Sequence, residues 1–272
     1  MKNKIHNGDN LAPEVINPLT KSGAADSIEG NSPSGVIILC DHASNFVPDD
    51  LDDLGLGEQA LSDHIAWDIG AEKVTRMMCE MMGATAVIQK VSRLVIDVNR
   101  EPDRDSLIPV ISDGIHIPGN RGLAFADTSD RVDRYYTPFH QAAEQAVTDS
   151  LDQGVVPLLI GMHSFTPEMQ GQKRPWEIGF LWNKDPRLAQ AMIGMLERET
   201  DLTIGDNQPY SGQDLYYTMQ RHGADRGVPQ TTVEIRQDLL TTEAECRQWA
   251  ALMCDVLDEL LSREDVRAIK HY

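Results

Sequence analysis

The chain has 272 residues, 41% of them apolar and 25% charged, which suits one large α/β domain or two small ones and allows a substantial core. Its net charge of -19, from 24 Lys+Arg against 43 Asp+Glu, disfavours nucleic acid and anionic membranes as partners. An anionic small molecule stays open as a ligand, because a few clustered arginines reverse the field locally.

Residues 1–34 are rich in Asn, Gly, Ser and Pro without sustained periodicity, and read as a flexible N-terminal arm ahead of a single α/β domain over 35–272. The opening MKNKIHNGDNLAPEV lacks the apolar core of a secretory signal, and no apolar run approaches the ~20 residues of a membrane helix. The expected location is the cytoplasm. Order begins at Gly35–Cys40, a continuous apolar run typical of a buried parallel strand. Glu58–Met82 reads as one long amphipathic helix, with Ile65, Ile69, Val74 and Met78 on one side. Ala84–Gln89 and Leu94–Val98 read as strands. Residues 101–122 are rich in Pro, Gly, Asp and Arg, too long and irregular for a plain connector, and read as a functional loop.

Ser129–Leu151 is again helical, and Val155–Ser164 is the clearest central strand. Ile178–Trp182 is a further strand, Pro186–Glu199 a helix, Asp214–His222 a short helix, Gln230–Arg236 a strand and Thr241–Ser262 a closing amphipathic helix. The helices over 58–82 and 241–262 could serve a homo-oligomer, although their apolar stripes suit the internal core. Of the four cysteines, Cys40, Cys79, Cys246 and Cys254, none form a CxxC pair. Cys246 and Cys254 lie two helical turns apart, about 12 Å, too far for a disulfide, so free buried thiols are expected.

Alternating strands and helices predict an α/β fold with a mixed, mostly parallel central sheet and helices on both faces. Ligands of such folds bind beyond the carboxyl ends of the strands. Four predicted strands end in reactive groups: Asp41, His42, Ser44 and Asn45; Asn99 and Arg100, with Arg93 just before; His163 and Ser164; and Glu234 with Arg236. Two imidazoles and a carboxylate are the donor set of a hydrolytic zinc site, where the metal acidifies a bound water. A second carboxylate would move the proton, and arginines would polarise a carbonyl or clamp a carboxylate. Plainer roles stay open at this point. Either histidine could be structural, Arg100 and Glu234 could form a buried ion pair, and His64 and Asp68 could be a helix-surface pair. Cys40, Ser44 and Ser164 show no nucleophile triad at sequence level.

In chain order, DHASNFVP, HIAWDIGA, SRLVIDVNR, YYTPFH, MHSF and VEIR resemble the motifs of the N-formylglutamate amidohydrolase family, from about Val36 to Leu240. The resemblance implies a zinc-hydrolase fold related to zinc carboxypeptidases and aspartoacylases, and one zinc ion per chain. It implies hydrolysis of an N-acyl amide in a small anionic acyl-amino acid, N-formyl-L-glutamate above all. His42, Asp68 and His163 would then bind zinc, Glu234 would carry the proton and Arg100 would stabilise the oxyanion. Arg93, Asn99 and Arg236 would hold substrate carboxylates. The related enzymes take a ligand from a Glu three residues after the first His; here that position is Asn45, so Asp68 is assigned instead, with His64 as its alternative. The first motif reads CDHASN where PHSG is commoner, which opens the amino-acid part of the substrate to other acyl amino acids or peptidoglycan fragments. A binding protein on a decayed hydrolase fold is the non-enzymatic alternative.

Overall fold

In a computed structural model, which describes residues 25–30 and 35–272, the apolar runs form the middle of one seven-stranded sheet. In chain order the strands are β1 (Ala25–Ile28), β2 (Val36–Cys40), β3 (Thr85–Gln89), β4 (Ile111–Ser112), β5 (Ile115–His116), β6 (Leu158–Phe165), β7 (Glu168–Met169), β8 (Gln172–Lys173), β9 (Ile178–Leu181), β10 (Ile204–Asp206) and β11 (Gln230–Arg236). The main sheet runs β1-β3-β2-β6-β11-β9-β10. Strands β3, β2, β6 and β11 are parallel neighbours, as are β9 and β10, while β1 joins β3 and β9 joins β11 antiparallel. The expected mixed, mostly parallel sheet is therefore present. β4–β5 and β7–β8 are separate two-stranded hairpins.

The helices are α1 (Glu58–Leu61), α2 (Ala71–Met82), α3 (Phe125–Arg131), α4 (Thr137–Asp152), α5 (Arg187–Glu199), α6 (Tyr217–His222) and α7 (Glu243–Leu261). Alternate strand residues feed two cores. Ile38, Cys40, Ile160 and Val233 pack with α2, α5 and α7 on one face. Ile37, Leu39, Val87 and Leu159 pack with α4, α6 and the 91–98 segment on the other. β2 is buried on both faces, which is why its sequence is apolar without alternation. The apolar stripes of α2 and α7 are spent in the first of these cores. A capping box closes the start of α7: Glu245 N–H donates to Thr242 Oγ1, and Thr242 N–H donates to Glu245 Oε2.

Several elements differ from expectation. Glu58–Met82 is two helices, α1 and α2, separated by irregular chain over 62–70. The break opens after Leu61 and closes at Gly70, whose φ is 86°, and within it Asp68 N–H donates to His42 O at 2.8 Å. Leu94–Val98 is not a strand. Ser92 Oγ accepts from Leu94 N–H, Ser92 O from Val95 N–H and Asp97 Oδ1 from Asn99 N–H, so local bonds replace a ladder. The segment is apolar because it is buried, and a short apolar run does not separate that case from a strand. The helix expected from Ser129 starts earlier, at Phe125, and passes through a π-helical stretch at Val132–Tyr136 into α4. Within the expected arm, Ala25–Ile28 is an edge strand; most of the rest of residues 1–34 lies outside the described residues.

Gly70 cannot be replaced cheaply. A Cβ there would lie 2.5 Å from Leu240 Cβ, and the positive φ strains any L side chain. Gly70→Ala is expected to destabilise the protein by about 2 kcal/mol in urea unfolding. An unchanged midpoint would mean that the turn carrying Asp68 is not held as described.

Candidate metal centre and its pocket

The carboxyl ends of β2, β6 and β11 meet at the mouth of a cavity of about 220 Å³. His42 follows β2 directly and His163 lies within β6. The register of β11 on β6 sets Glu234 beside His163, so these side chains share a face. Asp68 reaches the same point from the turn before α2. His42, Asp68 and His163 are all buried, and each offers one ligand atom within 4.8 Å of the other two.

The hydrogen bonds say which ring atoms face inward. His42 Nε2 lies 2.8 Å from Asp97 Oδ1. Asp97 is held well below the usual carboxylate range: burial opposes this, but His42, Arg100 and Arg93 outweigh it. As a carboxylate Asp97 only accepts, so His42 Nε2 donates to it and Nδ1 is the nitrogen turned toward the cluster. That Nδ1 is buried without a hydrogen-bond partner, 3.4 Å from Asp68 Oδ2. His163 Nδ1 lies 2.8 Å from the same Asp68 oxygen, and His163 Nε2 lies 3.6 Å from Asp41 Oδ2. Each imidazole thus turns Nδ1 to Asp68 and Nε2 to a second carboxylate, the arrangement by which outer carboxylates orient metal-binding histidines. Burial opposes a proton on His163, but Asp41 and Asp68 prevail and raise its pKa well above the ordinary value. A dication would take the place of that proton. The orphaned His42 Nδ1 and the hard-and-borderline N,N,O donor set fit a divalent metal such as zinc.

Around this centre the other expected residues separate. Glu234 is buried, its Oε2 has no partner, and burial, joined by the charge of Asp68, raises its pKa to about 7. Arg93 spans two carboxylates, with Nη1 3.4 Å from Asp68 Oδ1 and Nη2 3.1 Å from Asp97 Oδ2. Arg100 lies on the pocket wall, its Nη2 3.7 Å from Asp97 and its Nη1 donating to Asn99 O. It pairs with Asp97 and not with Glu234. Asn99 also lines the pocket, but its Oδ1 accepts from Thr218 N–H at 3.0 Å. Arg236 is not in the pocket. β11 ends there, and the guanidinium turns to Asp238 at 2.8 Å and to the carbonyls of Pro175 and Trp176. Asn45 is directed away as well, donating to Leu61 O. His64 is on the outer wall, not at the centre, because the break after α1 moves it off the face it would share with Asp68.

No serine or cysteine nucleophile is built here. Burial pushes the Cys40 thiol well above its ordinary pKa, Ser164 Oγ donates to Ile69 O, and Ser44 Oγ accepts from Phe46 N–H. All four cysteines are buried and free. A larger cavity, about 420 Å³, lies between β1, β3 and α4, and its lining among the described residues holds no histidine or arginine.

Sequence reasoning missed the supporting shell. Asp97 joins His42, Arg93, Arg100 and the Asn99 amide, and its only signal was its place in SRLVIDVNR. Behind it, Tyr136 OH donates to Arg100 O and His140 Nε2 donates to Val98 O, which anchors the wall carrying Arg100. His140 Nδ1 then accepts from His222 Nε2 at 2.8 Å, an arrangement that requires the His140 ring to be neutral. Accordingly burial and their mutual charge, with Arg221, lower His140 to about 3, and burial and Arg221 lower His222 to about 4, from an ordinary 6.5. A histidine depressed on folding contributes stability above pH 6.5 that is lost as pH falls through 6.5 toward the folded value. Stability is expected to decline between about pH 6.5 and 4, and His222→Gln to flatten that decline by about one proton, near 1.4 kcal/mol per pH unit. Urea midpoints across this range check it; an unchanged slope would place the acid sensitivity elsewhere.

A mixed α/β sheet that brings a buried metal-type triad and an unpaired carboxyl to one set of strand ends is the framework of a hydrolase, and the comparisons with known proteins make it an amidohydrolase. Residues 34–241 match the family described as N-formylglutamate amidohydrolase, and the chain belongs to that family. The crystal structure of gene product Atu2144 from Agrobacterium tumefaciens is similar over 90% of this chain and 97% of that one, at 35% identity and a TM-score of 0.86. That of N-formylglutamate amidohydrolase from Ralstonia eutropha JMP134 shares the fold over 90% of this chain and 99% of that one, at 20% identity and a TM-score of 0.68. No curated protein matches the chain. Among the described residues no helix is long and apolar enough to cross a membrane.

Proposed function

We propose that the chain is a zinc-dependent amidohydrolase that cleaves the acyl amide bond of small N-acyl amino acids, N-formyl amino acids foremost, releasing formate and the free amino acid. The observation that carries this reading is the convergence of His42 Nδ1, His163 Nδ1 and Asp68 Oδ2 beside the buried, unpaired carboxyl of Glu234. His42, Asp68 and His163 would hold one zinc ion per chain, with Asp97 and Asp41 fixing the two rings. Bound there, zinc supplies a Lewis acid that polarises the acyl carbonyl and acidifies water.

Glu234 takes the proton of the attacking water and returns it to the departing nitrogen. A carboxyl raised to about 7 by burial is matched to that exchange near neutral pH. Arg100, held on the pocket wall by its backbone anchors, donates to the developing oxyanion. Arg93 keeps an edge toward the pocket while bridging Asp68 and Asp97, and with Asn99 it receives the carboxylate beside the scissile amide. N-formyl-L-glutamate, the substrate in the family's name, meets these requirements in its formyl group and its α-carboxylate.

The test is hydrolysis of N-formyl amino acids by the purified full-length chain, before and after a chelator and then with zinc restored. Loss on chelation and recovery with zinc is the expected result. Hydrolysis that survives complete removal of metal would overturn the reading.

A further inference from the structure

We infer that Tyr210 and Thr166 present a pair of hydroxyl donors, set and polarised by Arg174 behind them, that receives a second carboxylate at the far end of the substrate's amino-acid side chain. The site rests on the hydrolase reading above and lies in the outer half of the same pocket; the substrates it selects are N-acyl dicarboxylic amino acids.

Arg174 is a guanidinium without an acid. Arg93 and Arg100 face Asp97, and Arg236 faces Asp238. Arg174 meets only neutral partners among the described residues. Its Nη1 donates to Tyr210 OH at 3.0 Å, to Thr166 Oγ1 at 3.2 Å and, at 3.5 Å, to Thr166 O, while Nη2 donates to Met169 Sδ at 2.9 Å. Its Cζ stands 4.8 Å from the centre of the Tyr210 ring and 5.8 Å from that of Phe165. Phe165, Thr166, Met169 and Tyr210 all line the cavity, so an unneutralised positive charge lies directly behind its outer wall.

Hydrogen-bond chemistry fixes how the two hydroxyls act. A guanidinium only donates, so the oxygens of Tyr210 and Thr166 both accept from it, and each keeps its own proton for another acceptor. Among the described residues no acceptor takes either proton. Burial, joined by the charge of Glu234, raises the Tyr210 pKa against the pull of Arg174, so the phenol stays a donor at neutral pH. Two O–H groups tied to one cationic nitrogen match the two oxygens of a carboxylate, because hydrogen bonds to an ionised acceptor are the stronger kind. The acids at the mouth are engaged elsewhere: Asp63 and Asp113 lie 2.5 Å and 3.4 Å from the two ring nitrogens of His64.

The fold holds Arg174 in place. It follows the β7–β8 hairpin, whose foot is closed by Arg174 N–H donating to Pro167 O at 2.8 Å. Just beyond it, Arg236 Nη1 donates to the carbonyls of Pro175 at 3.4 Å and Trp176 at 3.3 Å. The arginine expected to grip a substrate carboxylate therefore fastens the chain that carries Arg174.

The experiment compares N-formyl-L-glutamate with N-formyl-L-glutamine, which differ by a carboxylate against an amide of nearly the same shape. For the zinc-loaded full chain, kcat/KM for the glutamate compound is expected to exceed that for the glutamine compound at least about tenfold, mainly through KM. Arg174→Met is expected to bring that ratio within about threefold of one, and Tyr210→Phe to lower it about threefold or more. A merely structural defect lowers both compounds alike and leaves the ratio where it was. Equal or better hydrolysis of the glutamine compound by the native chain, or a ratio that either variant leaves unmoved, overturns the inference. Should Arg174→Met fail to fold, Tyr210→Phe, which removes a single oxygen, decides alone. If neither compound is turned over, the hydrolase reading fails on its own, and calorimetric affinities of the same two compounds for the zinc-loaded protein decide the carboxylate site. Tighter binding of the glutamate compound that Tyr210→Phe weakens supports it; equal or weaker binding, or a preference that Tyr210→Phe leaves intact, refutes it.

Discussion

Glu234→Gln is expected to keep one zinc per chain and to lose about 10³-fold in kcat, with KM changed only a few-fold. The side chain lies outside the His42–Asp68–His163 cluster but beside His163 across the β11–β6 register, so its loss leaves the metal donors in place. Gln matches Glu in shape and lacks a group that can accept a proton. In the folded protein the carboxyl is buried with Oε2 unpaired, and burial raises its pKa to about 7. A group kept unpaired at this depth costs stability, and its use as a proton carrier explains why it is there. Metal content and steady-state kinetics on the same preparation check the point. Undiminished turnover would remove Glu234 from the chemistry, and loss of zinc together with turnover would make it a ligand.

The second large effect concerns the ligand that sequence left in dispute. Asp68→Asn is expected to lose zinc affinity by more than the ~100-fold that an outer-shell partner costs, and to lose hydrolysis with it. Asp68 Oδ2 lies within 3.4 Å of both inward-facing ring nitrogens, so it is the shared vertex of the site. A neutral amide in its place is a poor donor to zinc. His64→Ala is expected to keep stoichiometric zinc, because His64 sits on the outer wall with Asp63 and Asp113 and not in the cluster. Direct competition with a chromogenic chelator measures both. Zinc lost from His64→Ala and kept by Asp68→Asn would reverse the assignment.

Much of this site could be read from strand ends, and the reason is physical. Val36–Cys40 and residues 158–162 are buried on both faces, so their sequences are nearly continuous apolar runs and polar residues at or just past their ends stand out, while Gln230–Arg236, equally buried, mixes polar with β-branched residues and carries its one carboxylate near its end. His42, His163 and Glu234 were found in that way. Asp68 was harder, since its segment has helical periodicity yet the helix is broken between Leu61 and Gly70 and the carboxylate swings inward. Helical spacing does not report a tertiary bond such as Asp68 N–H to His42 O. Arg236 illustrates the opposite error: its place at a strand end suggested the pocket, but a local partner two residues on, Asp238, captured the guanidinium. Asp97 and His140 were visible only as members of the SRLVIDVNR and YYTPFH motifs, without a role, and His222 not at all, because each matters through a contact far away in sequence. Asp97 meets His42 across 55 residues, and His140 meets His222 across 82.

The most direct measurement is anomalous diffraction at the zinc edge from crystals of the zinc-loaded protein. The predicted result is one strong peak per chain at roughly 2.0–2.2 Å from His42 Nδ1, His163 Nδ1 and an Asp68 carboxylate oxygen. A peak coordinated instead by His64 and Asp113, or no peak at the ends of β2 and β6, would contradict it.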